Sequence, residues 1–209
     1  MSFSLNEIEA TSKRAARGAG YTWGHAEEAG KATRWLCAQG LDGVAALASL
    51  LQQDLSRSPE MHVPCISGEG WAGTDVLCPL AAGSALSDSA LVLEAAPVTL
   101  TNVTTPTLLL PFVSNVARIL NKSVAITIDG AEAQTDGIAL HLTGPMPDQA
   151  QSVTVRLEQV APPTQRQHSR ATPDPAAWSA LTGFAHRTYA PATEESRLRG
   201  AGAGLSDND

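Results

Sequence analysis

Apolar residues recur at helical spacing through positions 1–56. Leu5, Ile8, Ala15 and Ala16 share one face. They follow Ser4-Leu-Asn-Glu7, a capping box in which the serine oxygen takes a free backbone N–H and the glutamate reaches back. Gly18 and Gly20 end this first helix. Thr22 caps a second, with Ala26, Ala29, Thr33, Leu36 and Cys37 as its buried stripe. Glu27, four residues before Lys31, is placed for an ion pair along that helix. Gly40 stops it, and a third helix turns Val44, Leu47, Ala48, Leu51 and Leu55 inward. Ser58-Pro59 closes the segment.

The pattern then changes. Leu108 to Leu110 reads as a strand, followed by a helix opened by Pro111, with Phe112, Val116, Ile119 and Leu120 inward. Val124, Ile126 and Ile128 alternate with Ala125 and Thr127, which is strand periodicity. Asp129-Gly130 and Asp136-Gly137 are turns, and Ile138 to Leu142 follows the second. Val153, Val155 and Leu157 mark another strand. Turns this short join antiparallel strands, because a parallel crossover needs a dozen or more residues. Asp174-Pro175 is an N-cap and first-turn pair for a last helix carrying Trp178, Leu181, Phe184 and Ala185. The predicted fold is α+β: a helical module over 1–58, a mainly antiparallel sheet with packed helices over 59–160, and a C-terminal helix and tail over 161–209, all in one compact unit.

Composition adjusts this picture. Hydrophobic residues make up 43% of the 209, enough for a core without disulfides or metals, yet aromatics are only 4%. Small apolar residues therefore carry the packing. The net charge is −7, and residues 57–160 hold 10 acidic against 4 basic side chains. Such a chain lacks the basic footprint of a nucleic-acid binder and is repelled by anionic membrane surfaces. Three cysteines do not make a disulfide framework, and no apolar run is long enough to span a bilayer. The N-terminus has no signal-peptide pattern, so the expected location is cytoplasmic.

One stretch, Ser67-Gly-Glu-Gly-Trp-Ala-Gly-Thr-Asp75, spells G-x-G-x-x-G across Gly68, Gly70 and Gly73. A dinucleotide site needs a strand before this loop and a helix N-terminus at its end. Pro64 makes a poor central strand, and Pro79 cannot sit inside a helix. Asp88 has the spacing of a ribose partner but no strand to place it. The reading is a loop beside Trp71, with no cofactor. Ligand pairs of the C-x-x-C or H-E-x-x-H kind are missing, so no metal is expected.

Three places can carry chemistry or binding. Cys65 is a nucleophile if a distant histidine activates it, and an inert buried thiol otherwise. Trp23, His25 and Glu28 put a ring, an imidazole and a carboxylate in one helical turn, a polar rim for a small cleft. Glu194 and Arg197, in a glycine-rich tail, suit docking on a partner or on a second copy of the chain. The leading expectation is a non-catalytic binding or accessory protein for a small molecule or a protein, self-associated, with a dimer favoured. The alternative is an enzyme using Cys65 or the His25/Glu28 turn for acid–base or acyl-transfer chemistry.

NEIEATSKRAARGAG and WGHAEEAGKATRWL at the front, with PATEESRLRGAGAGLSDND at the back, resemble a bacterial family of about this length known only as a domain of unknown function. The resemblance implies no activity, cofactor or catalytic residue. It implies that the tail belongs to the natural protein.

Overall fold

The structure is a computed structural model that describes residues 1–67 and 70–189. Helix α1 (Leu5–Gly18) opens with the capping box: Ser4 Oγ accepts the Glu7 N–H at 3.2 Å, and Glu7 Oε2 accepts the Ser4 N–H at 2.7 Å. Helix α2 (Trp23–Ala38) starts at Thr22, whose hydroxyl accepts the His25 N–H. Its stripe of Ala26, Ala29, Thr33, Leu36 and Cys37 is fully buried, as the spacing predicts. The ion pairs differ from expectation. Lys31 bonds Glu28 at 2.8 Å, and Glu27 instead takes Lys13 of the neighbouring α1 at 2.5 Å. Helix α3 (Gly43–Gln52) is capped by Asp42. The second oxygen of Asp42 accepts the Asp174 N–H, which ties the cap of α3 to the cap of the last helix.

A seven-stranded sheet follows. It comprises β2 (Cys65–Ser67), β3 (Gly70–Ala72), β4 (Val98–Thr104), β5 (Ser123–Ile128), β6 (Ala131–Thr135), β7 (Leu140–Leu142) and β8 (Gln149–Glu158). Its order is β2-β3-β4-β8-β5-β6-β7, antiparallel except for β3 beside β4. The last strand in sequence thus sits in the middle. A two-stranded ribbon joins β1 (Phe3–Ser4) to β9 (Arg170–Ala171). Helices α4 (Pro79–Asp88) and α5 (Leu110–Leu120) lie between the strands in sequence, and α6 (Pro175–His186) closes the chain against α1 and α3. The fold is α+β, as expected.

One hydrophobic core runs from Ile8 in α1 through Leu100, Ile126 and Val155 of the sheet to Ala185 in α6. The opposite sheet face is polar: Thr99, Thr154, Thr127 and Glu132 stand side by side across four strands. Asp129 and Gly130, both at positive φ, make the tight β5–β6 turn read from the sequence.

Four local readings are corrected. Leu108 to Leu110 is not a strand: Pro106–Leu109 is a 3-10 turn that feeds directly into α5, with Pro111 in its first turn. Ile119 does not point inward but is 56% exposed. The buried stripe is Phe112, Val113, Val116 and Ala117, and Ile119 lies about 200° round the helix from Ala117. Pro79 does not exclude a helix; it opens α4, where its missing N–H costs nothing. Strand β4 was not foreseen. Its Asn102, at φ +53°, moves the inward positions from Val98 and Leu100 to Val103 and so interrupts the alternation.

Candidate functional site

The glycine motif does not lead from a strand into a helix. Cys65–Ser67 and Gly70–Ala72 pair antiparallel, so the motif straddles a hairpin at the sheet edge. The next helix begins only at Pro79. Trp71 is buried in the core beside Leu100, and Gly70 stands at φ +140°, a conformation that suits glycine. Gly68, like Glu194 and Arg197 in the tail, lies outside the described residues.

Cys65 is exposed on this edge strand, not buried as expected, because β2 has the core on one side only and no strand beyond it among the described residues. No hydrogen bond links it to a histidine among the described residues. Trp23 stands away from any cleft lining. It is 66% exposed, with the Arg17 guanidinium 4.5 Å above its ring centre, a cation–π contact across to α1.

His25 and Glu28 do meet a cleft. The first turns of α2 face the C-terminal half of α4 and the middle of α5. Helices α4 and α5 come together closely because residue 83 is glycine: a Cβ there would lie 2.2 Å from the Phe112 ring. The groove beside this contact is lined by His25, Glu28, Ser84, Ser87, Asp88 and Asn115. It continues along α2 into a second hollow that shares Glu28, Phe112 and Asn115 and adds Lys31, Trp35 and Arg118. The two together follow α2 from Thr22 to Trp35.

The chemistry along this groove is uneven. Asp88 lines the first hollow, Lys31 and Arg118 line the second, and Glu28 lines both. Glu28 is held by Lys31. Asp88 has no hydrogen bond or ion pair among the described residues, and Arg118 donates only to the Asn115 side-chain oxygen. The hydroxyl oxygens of Ser84 and Ser87 are inaccessible and have no partner within the protein among the described residues. Burial holds His25 below the usual imidazole pKa, partly offset by the nearby Glu28 carboxylate. The His25 ring makes no hydrogen bond to Glu28 among the described residues.

Behind His25 lies a separate small cavity of about 50 Å³, lined by Tyr21, His62 and Cys78 among others. The Tyr21 hydroxyl is 3.6 Å from Cys78 Sγ, and burial raises the pKa of both groups. His62 Nδ1 donates to the Val76 carbonyl at 2.8 Å, and its other nitrogen faces Ser58. Sequence reasoning missed this cluster. The signal was present: Cys78-Pro79 has the same cap-then-proline form as Asp174-Pro175, which was read correctly. The Ser84, Asp88, Asn115 and Arg118 wall of the groove was missed for the same reason, since it stands partly on the unforeseen α4.

Residues 3–97 match the family model described as Protein of unknown function (DUF3726). The match agrees with the resemblance read from the front of the chain. It takes in α1 to α4, and so the His25, Glu28, Ser84 and Asp88 side of the groove, while Asn115 and Arg118 lie beyond it. No curated protein matches the chain. Among the described residues no three metal-binding side chains converge, and no helix is long and apolar enough to cross a membrane.

Proposed function

We propose that this chain is a non-catalytic binding protein, accessory to another process, and that its ligand is a small polar molecule held in the groove between α2, α4 and α5. One observation carries the reading: His25 of α2, Asp88 of α4 and Asn115 of α5 converge on one cleft, and Asp88 has no partner among the described residues. Phe112 supplies an apolar floor, so the groove combines a few polar groups with a flat surface, the usual make-up of a small-molecule site. A cytoplasmic setting and self-association as a dimer belong to the same proposal; three free cysteines suit a reducing compartment.

Thermal melting against a library of polar metabolites tests the site. A ligand at 100 times its Kd stabilises by about 2.7 kcal/mol, a rise of roughly 5–10 °C for a chain of this size. Asn115→Trp, which fills the groove, should abolish that rise. A ligand that stabilises the Asn115→Trp protein as well as the wild type would place binding elsewhere. Mass in solution tests the dimer separately, and a monomer at micromolar concentration removes it.

A further inference from the structure

We propose that the groove selects a zwitterion, an amine and a carboxylate on one flexible chain, with the amine at Asp88 and the carboxylate at Arg118. This rests on the groove being the ligand site. The two ends carry opposite charge. Asp88 is the acidic side chain there without a partner among the described residues, and Arg118 is the cation committed only to a neutral amide. Lys31 and Glu28 already neutralise each other across the middle, so neither sign dominates the groove as a whole. A ligand with one charge would satisfy one end and leave the other as it was. A ligand with both satisfies Asp88 and Arg118 together.

Spacing narrows the class further. Glu28 to Lys31 and Asn115 to Arg118 each span one helical turn along their helices. Asp88 lines the first hollow and Arg118 the second, with Glu28, Phe112 and Asn115 common to both. An α-amino acid carries both charges on one carbon and suits a single hollow, whereas an ω-amino carboxylate carries them at opposite ends of a chain that can lie across the two. Phe112 and the stem of Arg118 give its methylene chain an apolar surface. That stem is fixed: a Cβ on Gly137 would fall 2.3 Å from Arg118 Cγ, so the turn after β6 holds the side chain from behind. Asn115 then orients the guanidinium, which can offer a forked pair of donors to a carboxylate.

Calorimetry with 6-aminohexanoate, hexylamine, hexanoate and 1,6-hexanediol as probes decides the matter. The expected result is that 6-aminohexanoate binds about tenfold or more tightly than either singly charged probe, in line with a charged hydrogen bond gained at the far end. Asp88→Asn should bring 6-aminohexanoate down to the level of hexanoate. Arg118→Met, which keeps the packed stem, should bring it down to hexylamine, and Arg118→Lys should restore part of the loss. Circular dichroism melting confirms that each variant is folded. Equal binding of hexylamine or hexanoate overturns the proposal, as does 6-aminohexanoate affinity that ignores both charge variants. If 6-aminohexanoate fails while another library ligand binds and is lost in Asn115→Trp, the zwitterion is wrong and the groove stands. If library binding survives Asn115→Trp, both readings fall.

Discussion

The helical layer and the sheet share one core but pack into it differently. Among the helices, glycines bring backbone against backbone at a few points between the packed leucines. A Cβ on Gly18 would lie 1.9 Å from the Phe184 carbonyl oxygen of α6, and one on Gly43 would lie 2.7 Å from that of Thr33. In the sheet the contact is side chain against side chain, with Val124, Ile126, Ile128, Val153 and Val155 filling the interior. The largest fully buried side chains stand mostly on the helices, Ile8, Leu36, Leu47, Leu50, Leu80 and Leu86 among them, while the strands fill the interior chiefly with β-branched residues. Both layers should therefore suffer from deletion, and the helical layer should also suffer from addition at its glycines.

Ile126→Ala tests the sheet and should have the largest effect. It empties a fully buried site and should cost about 2–5 kcal/mol, read as a lower urea midpoint at unchanged m. The converse, Gly18→Ala, adds one methyl group between α1 and α6 and should cost about 1–3 kcal/mol. A neutral Gly18→Ala would show slack between those helices and break the comparison. Asp174→Ala removes an acceptor shared by the N–H groups of Ala176 and Ala177 and should cost about 1 kcal/mol. Because α6 is held mainly by packing on α1 and α3, that loss should stay local in hydrogen exchange.

The smallest effect is a pH dependence. His25 is harder to protonate in the folded protein than in the unfolded chain, so the unfolded state binds more protons near and below pH 6.5. Its contribution to stability is whole above that pH and declines as pH falls through it. His25→Gln should flatten this limb of a melting-temperature profile between pH 5 and pH 7, and an unchanged slope would show that the ring is solvated.

Much of the fold was legible where local signals agreed. Ser4, Thr22 and Asp174 sit before apolar stripes, and each caps a helix as read. The β5–β6 hairpin combined strict alternation with an Asp-Gly turn. The failures share a cause: a single residue with two readings. Pro79 was weighed as a breaker when its place was the first turn, the role read correctly for Pro111. Asn102 disturbs the period of β4 through a left-handed backbone that no hydropathy pattern reveals. The site was half legible for the same reason. His25 and Glu28 lie on a well-signalled helix, whereas Asp88 and Arg118 face them from helices whose start or facing was misread. Exposure of Cys65 follows from its place at the sheet rim, which depends on strand order and not on neighbours in sequence.

Strand β8 lies between β4 and β5, though it is the last of the seven to be made. On the ribosome, residues 65–104 and 123–142 therefore emerge as two separate half-sheets, each with a bare rim of N–H and C=O groups. They stay apart until residues 149–158 arrive to zip them together, and α1 meets α6 later still. Assembly dominated by such distant pairings is slow, and it leaves the nascent chain dependent on protection from its neighbours until residues 149–158 have been made.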